Sequence, residues 1–398
     1  MKNIRTYIIK ILISISKSFL SVIYFFLKCL PTREKVVLLS RQSNKQSIDF
    51  TLIEKEILRR NKKVELKILC KKLENGLIEK IKYCFYILKC IYHIATAKVC
   101  VVDGYSIPIS ILKHKKELEI IQIWHASGSI KKFGLQSIGK SEGRGKEISE
   151  SMNMHKNYSH VMSPSDATSK FYEEAFGTDG SKIFINALPR LDYLLDEEED
   201  KKKKEEFYCE YPQYEDKKTI LYVPTFRIDK DSTKHIQELI NSINVSKYNL
   251  IIKLHPLDES ERVKEYTVNK KYTTYDLLKI SDYIITDYSA VAFEASILNK
   301  PLYFYVYDIQ DYRETRGLNI DLFKEMNSAT STNIKEIVKA IENDEYDFEE
   351  LEEFRTKYMG TDYYSNTIKL VDFIFKYLDK EVKDEENIDE SSKEKLNI

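Results

Sequence analysis

Glycine and proline are scarce in this chain, 11 and 8 among 398 residues. That excludes a collagen-like repeat and a linker-like chain. Neither sign of charge is in excess, since 63 Lys and Arg stand against 63 Asp and Glu. A coat of positive charge for nonspecific nucleic-acid binding is therefore excluded, and no nucleic-acid partner is expected. The six cysteines (Cys29, Cys70, Cys84, Cys90, Cys100 and Cys209) form no CxxC pair. None lies near a His at zinc-finger spacing, so they read as reduced thiols of a cytosolic protein. The seven histidines include no HxxxH or HExxH, and no structural metal is expected. What is abundant is apolar. The hydrophobic fraction is 42% and the aromatic fraction 12%, enough for real cores and incompatible with wholesale disorder. The length suits two domains of about 150–200 residues.

Residues 1–30 lack acids altogether but carry Lys2, Arg5, Lys10, Lys17 and Lys28. Their longest uncharged run, Ser18 to Leu27, is shorter than the roughly 20 residues of a membrane span. No small-residue cleavage site follows, which argues against a signal peptide. Asn3, Thr6, Lys10, Ser14, Lys17, Ser21 and Lys28 recur every three or four residues, one stripe of a helix that is otherwise apolar. The pattern favours a helix lying in a membrane interface, its bases drawn to anionic head groups, over one packing its apolar face on the protein body or a kinked or tilted span.

Pro31 ends that helix. Apolar runs predict strands at Lys35–Ser40, Val64–Leu69, Lys98–Val102, Leu118–Trp124, His160–Met162 and Lys182–Asn186. Helices are expected from about Asp49 to Asn61 and over Asn75–Ala95. The charge run DEEEDKKKKEE at residues 196–206 reads as a solvated helix or linker that begins a crossing between domains. A second series of strands follows at Thr219–Val223, Asn249–Leu254, Tyr283–Thr286 and Leu302–Val306. Strands alternating with helices imply parallel sheets covered on both faces. The expected division is a membrane helix (1–30), an N-terminal Rossmann-like domain (31–195), a C-terminal one (196–379) and an acidic disordered tail (380–398). In the tail, seven acids outnumber four bases.

Ligands of such sheets bind beyond the carboxyl ends of strands. Chemistry-bearing residues gather there. Trp124-His125-Ala126-Ser127-Gly128 follows one strand, with Lys131 and Lys132 close behind. Leu188-Pro189-Arg190 follows another, with Arg190 a possible anion contact. Pro224-Thr225-Phe226-Arg227 offers a hydroxyl and a guanidinium suited to phosphate or carboxylate. Lys253-Leu254-His255-Pro256 ends a further strand in a second histidine. Thr286-Asp287-Tyr288-Ser289 leads into a helix that contains Glu294. Hydroxyls and free N–H groups at a helix start suit an anion, although Ser289 also serves as a simple N-cap. Arg316-Gly317 lies in a later loop. Two histidines at strand ends, one per half, fit proton transfer across a cleft.

In this order, WHASGSIKKFG, LPRLD, PTFR, KLHP, SDYIITDYSAVAFEASILNKPLYFYVYD and RG resemble the CDP-glycerol glycerophosphotransferase family of teichoic acid biosynthesis. The resemblance covers roughly residues 95–375. Ala126 and KKFG look more like its primase-type branch, whereas Ala290, Glu294 and Leu318-Asn319 depart from the commoner family pattern. The resemblance implies an α/β GT-B fold, two Rossmann-like domains facing across a cleft. It implies transfer of glycerol phosphate from CDP-glycerol to a hydroxyl of a polyprenyl-diphosphate-linked saccharide, with release of CMP. It also implies a peripheral protein on the cytoplasmic face of the cell membrane. His125 is expected as general base and His255 as the group stabilising the diphosphate, with the two roles exchangeable. Thr286, Asp287, Ser289, Glu294, Arg316 and Gly317 are expected around the donor diphosphate. Thr225 and Arg227 are expected to line the cleft, with Arg190 as a further anion contact and Lys131 steadying the acceptor's diphosphate. A divalent cation such as Mg is compatible with the chemistry, but no cofactor is assigned. A GT-B glycosyltransferase using a nucleotide sugar and a non-catalytic membrane scaffold are the alternatives.

Overall fold

Apolar residues at two-residue spacing decide the first sheet. In β1 (Arg33–Ser40), Val37 and Leu39 enter one core while Val36 and Leu38 enter another. In β3 (Ala97–Val102), Cys100 and Val102 face the first core and Val99 and Val101 the second. Successive side chains of a strand point to opposite faces, so both faces of this sheet must be covered. The computed structural model describes residues 2–141, 143, 145–225, 227, 233–254 and 261–379. The expected tail at 380–398 lies outside the described residues, as does His255.

The first sheet has six parallel strands in the order β2-β1-β3-β4-β5-β6. Here β2 is Glu65–Cys70, β4 Glu119–Gln122, β5 His160–Ser163 and β6 Ile183–Ile185. The second sheet has five parallel strands in the order β11-β10-β9-β7-β8. They are β7 (Lys218–Tyr222), β8 (Tyr248–Ile252), β9 (Tyr283–Thr286), β10 (Leu302–Tyr305) and β11 (Thr330–Ser331). The last, two residues long, carries no sequence pattern to announce it. Expected and observed strands otherwise agree to within a residue or two.

The helices Ile48–Arg60 and Leu77–Ala95 cover opposite faces of the first sheet, through Phe50, Ile53 and Ile57 on one side and Ile91 and Ile94 on the other. Ser47 caps the first of them by accepting from the Phe50 N–H. The charge run forms the helix Glu197–Glu210, capped by Asp196 and anchored by buried Phe207. The final helix, Asn366–Leu378, differs from the expected division at 196–379. Its Leu370, Val371, Ile374 and Leu378 pack on the first sheet. Asp192 holds its start, accepting from the N–H groups of Asn366 (2.9 Å) and Thr367 (2.7 Å). The chain thus crosses between the lobes twice.

The N-terminal helix, Lys2–Leu27, lies against the first lobe along one stripe. Lys10, Lys17 and Tyr24, seven residues apart, share that side. Lys10 pairs with Glu147 at 2.8 Å, and the buried Tyr24 hydroxyl meets His114 Nδ1 at 2.8 Å. The basic stripe expected to face lipid therefore faces protein in part, because Leu20, Ile23, Tyr24 and Leu27 dock on the adjoining core. The outward side is apolar, with Tyr7, Leu12, Ile15, Phe19, Val22, Phe25 and Phe26 exposed. Residues 9–27 are long and apolar enough to cross a membrane by length and composition.

Candidate active site

Strand β4 stops at Gln122, two residues short of the expected end. The reason is Trp124, whose φ of 60° lies in the left-handed region that bulky residues rarely adopt. Gln122 Oε1 accepts from the Trp124 N–H at 2.8 Å and fixes this turn. The Trp124 ring packs 4.9 Å from Phe133 and 5.2 Å from Phe176, centroid to centroid. The His125 ring lies against it at 4.1 Å and the His155 ring at 6.0 Å. The turn and the aromatic cluster together aim His125 into the cleft.

The His125 Nδ1 donates to the Asp103 carbonyl at 3.0 Å. A carbonyl only accepts, so Nδ1 carries the proton and Nε2 keeps the lone pair. Gln42 Nε2 stands 3.1 Å from the same Nδ1, so the carboxamide bonds to this tautomer only with its oxygen turned to the ring. His125 is reached by solvent through the cleft but lies deep between the lobes. Desolvation there pushes its imidazole down to about 4, so it is neutral at physiological pH. Beside it, burial pushes the Asp103 carboxyl up to about 7, and one Asp103 oxygen finds no hydrogen-bond partner.

Arg190 starts the helix Arg190–Leu194 and is buried. Its Nε donates to both Asp49 oxygens, at 3.1 and 3.0 Å, and Nη2 pairs with the same carboxylate. Its Nη1 donates to the His125 carbonyl at 3.2 Å and faces Glu294 at 3.4 Å and the Tyr275 hydroxyl. Asp49 and His125 belong to the first lobe, Glu294 and Tyr275 to the second. Arg190 therefore ties both lobes to the backbone of His125. Glu294 also accepts from Ser127 Oγ at 2.9 Å, and burial pushes its carboxyl up.

In the second lobe, Asp287 is fully buried and accepts from the Thr225 N–H at 2.9 Å and from Arg227 at 2.7 Å. Arg227 also pairs with Asp308 at 2.7 Å and lies over the Tyr307 ring. Thr286 Oγ1 donates to the Val223 carbonyl at 2.7 Å. These groups build the rim around Thr225, whose own Oγ1 is buried without a partner.

Two cavities flank His125. One, of about 390 Å³, is lined by Arg190, Pro224, Lys253, Tyr275, Ser289 and Glu294. The other, of about 370 Å³, is lined by Arg41, Tyr105, Trp124, Phe133, His155 and Arg316. His125 lines both. The loop carrying Arg316 is pinned across the cleft, where the Gly317 carbonyl accepts from Lys132 N–H at 2.9 Å. Arg316 Nε donates to the Lys132 carbonyl at 3.2 Å, and Lys131 bridges to Leu318. Gly317 has a φ of +83°, and a Cβ there would sit 3.0 Å from Lys132 Cδ. Among the described residues, no cluster of His, Cys, Asp and Glu converges as a metal site.

The sequence model of the CDP-glycerol:poly(glycerophosphate) glycerophosphotransferases matches residues 22–376. The chain belongs to that family. A teichoic acid ribitol-phosphate primase of Bacillus spizizenii is 31% identical, over 87% of this chain and 92% of the relative. A teichoic acid glycerol-phosphate primase of Bacillus subtilis is 30% identical, over 75% and 81%. The wall teichoic acid polymerase TagF superposes with a TM-score of 0.72 at 19% identity, covering 96% of this chain and 98% of that one. At that identity the likeness speaks for the fold, which is GT-B.

Within this glycerophosphotransferase, the expected site residues divide into two groups. His125, Ser289, Arg316 and the Thr225 region surround the cleft. Arg190, Arg227, Thr286 and Asp287, expected at the substrate, hold hydrogen bonds to partners inside the protein, and of these Arg190 also lines the second-lobe cavity. Glu294 lines a cavity but is bound to Arg190 and Ser127. Arg316, expected at the donor diphosphate, lines the cavity of the first lobe, because Gly317 and Lys132 fasten its loop there. His255 lies outside the described residues. Sequence reading missed Gln42, Asp49, Asp103, Tyr275 and Lys253. Lys253 could have been found, since it precedes His255 in the quoted KLHP. The others follow or sit inside ordinary strands and helices and carry no local signal.

Proposed function

We propose that the protein transfers glycerol phosphate from CDP-glycerol to a hydroxyl of a polyprenyl-diphosphate-linked saccharide, as a primase adding a single unit. The observation that carries this reading is the position of His125 as the common wall of two cavities, with Nδ1 protonated and Nε2 able to accept. The donor occupies the second-lobe cavity, where Lys253 and Ser289 meet its diphosphate. The acceptor hydroxyl enters from the first-lobe side. Nε2 takes its proton as the oxygen attacks the β-phosphorus. The bond from that phosphorus to the CMP oxygen breaks, and CMP leaves. Such chemistry rests on positioning and charge stabilisation. Arg190, through the His125 carbonyl, holds the base in register.

The outward apolar side of the N-terminal helix supports peripheral attachment at the cytoplasmic face of the membrane, where a lipid-linked acceptor lies. Transfer is tested with CDP-glycerol and a synthetic polyprenyl-diphosphate disaccharide, by CMP release and mass spectrometry of the product. One added glycerol phosphate is expected, and His125→Ala should lower kcat by roughly 10²–10⁴-fold. A ladder of products refutes the primase reading, and a wild-type rate in His125→Ala refutes the base. The ribitol-phosphate primase relative supports a second donor, CDP-ribitol, to be run in parallel.

A further inference from the structure

The transfer reading assigns the second-lobe cavity to the donor and leaves the chemistry of the first-lobe cavity open. That cavity has an unusual charge character. Two guanidinium groups, Arg41 and Arg316, line it and no carboxylate does. The donor-side cavity, by contrast, includes Glu294.

Arg41 is the first residue after β1, at the carboxyl end of the strand, where ligands of parallel sheets bind. Its side chain is held in place. Nη1 donates to the Tyr105 carbonyl at 3.2 Å, and the guanidinium lies 5.4 Å over the Tyr105 ring. Among the described residues no carboxylate pairs with it. Its Nε is buried and has no hydrogen-bond partner. A guanidinium held in this way on the cavity wall, with no carboxylate among the described residues to neutralise it, is a ready receptor for a phosphate oxygen. Arg316 reaches the same cavity from the other lobe, held by its bond to the Lys132 carbonyl and by the Gly317 turn. Tyr105, Trp124, Phe133 and His155 add aromatic surface to the wall, beside Gln42, Ser137 and Met154, and suit the apolar face of a sugar ring.

We propose that the first-lobe cavity is a phosphate-recognising acceptor subsite, in which Arg41 and Arg316 grip a phosphate ester of the acceptor while a sugar packs on the aromatic wall. This rests on the transfer reading and adds to it the chemical class that the acceptor must present. The phosphate has two sources, the diphosphate that joins saccharide to lipid or a phosphodiester already attached to the saccharide. Both offer the same anionic oxygens, and the acceptor's own structure decides between them.

The test uses the full chain, wild type and the variants Arg41→Ala and Arg41→Lys. Calorimetry measures binding of lipid-free disaccharide diphosphate, of a neutral disaccharide glycoside bearing a terminal glycerol phosphodiester, and of the uncharged glycoside. Binding of CDP-glycerol to each protein reports that the variant is folded and its donor side intact. In transfer assays the acceptor KM is measured with the matching lipid-linked forms. Arg41→Ala should weaken one or both phosphorylated ligands by roughly 10- to 100-fold, the size of a lost hydrogen bond to a charged group. Arg41→Lys, which keeps the charge but loses the fork, should recover part of that loss. Whichever phosphorylated ligand responds is the source. The proposal is overturned if wild type binds neither phosphorylated ligand better than the uncharged glycoside. It is equally overturned if Arg41→Ala weakens all three alike, or none, while CDP-glycerol binding is retained. Phosphate-dependent binding without transfer from any CDP-alditol would instead overturn the transfer reading and leave the subsite standing.

Discussion

Replacing Asp49 by Ala removes the carboxylate that accepts from two nitrogens, Nε and Nη2, of the buried Arg190 guanidinium. Asp49 is 2% exposed and Arg190 6% exposed, so water cannot substitute for the lost partner. Breaking a buried ion pair by deleting one member costs about 3–5 kcal/mol, because the other charge is left uncompensated. Glu294, 3.4 Å from Nη1, still faces the guanidinium and places the expected loss at the lower end of that range. Asp49 also accepts from the Arg190 backbone N–H at 2.9 Å, so the start of the helix Arg190–Leu194 loosens as well. The functional consequence runs through the bond from Arg190 to the His125 carbonyl. A displacement of about 1 Å at a catalytic group can cost on the order of 10²-fold in rate. Equilibrium urea unfolding and kcat at saturating CDP-glycerol are the two readouts. Asp49→Asn, which retains one acceptor but no charge, should lose less of both. A loss in Asp49→Ala below about 1 kcal/mol, or an unchanged kcat in the folded variant, would refute the view that this pair holds the base in place.

Four further outcomes are expected. The His125 imidazole is pushed down to about 4, so it remains an acceptor until the pH falls towards that value. The acid limb of acceptor kcat/KM should therefore lie well below the roughly 6.5 of free histidine, and a limb at 6.5 belonging to His125 contradicts the desolvated, neutral base. The same shift makes stability rise with pH between about 4 and 6.5, where the unfolded chain binds the proton and the folded one does not. Gly317→Ala forces a side chain into left-handed backbone beside Lys132, at a cost of about 1 kcal/mol or more, and should raise the acceptor KM while sparing CDP-glycerol affinity. Phe19→Asp with Phe25→Asp places charge on the exposed apolar side of the N-terminal helix. The variant should stay in the supernatant when wild type sediments with anionic vesicles, and equal sedimentation argues against attachment by that side.

The order of the strands other than β11, the two parallel sheets and the gathering of chemistry-bearing residues at strand ends were legible in the sequence. Each rests on local facts: period-two burial, the length of an apolar run, a His or Arg directly after it. His125 was visible for that reason. What local pattern could not reveal is which charged groups face each other. Arg190 and Asp49 are 141 positions apart, and Arg227 meets Asp308 across 81. Read in isolation, each Arg at a strand end is a cation open to substrate. Only the packed structure shows that two of them are neutralised by buried carboxylates. The return of the helix Asn366–Leu378 to the first sheet was hidden likewise, since an amphipathic helix carries no record of which core takes its apolar face.

Taken by itself, the sequence determined the architecture, the family and the histidine at the end of β4, because each depends on residues adjacent in the chain. The tertiary structure alone decided which side of that histidine each cavity occupies. It also decided that Arg316 lines the same cavity as Arg41, and that the bases of the first helix partly face protein. Those are properties of surfaces brought together from distant segments, and buried charge, steric fit and hydrogen-bond pairing choose among them only once the lobes have closed on each other.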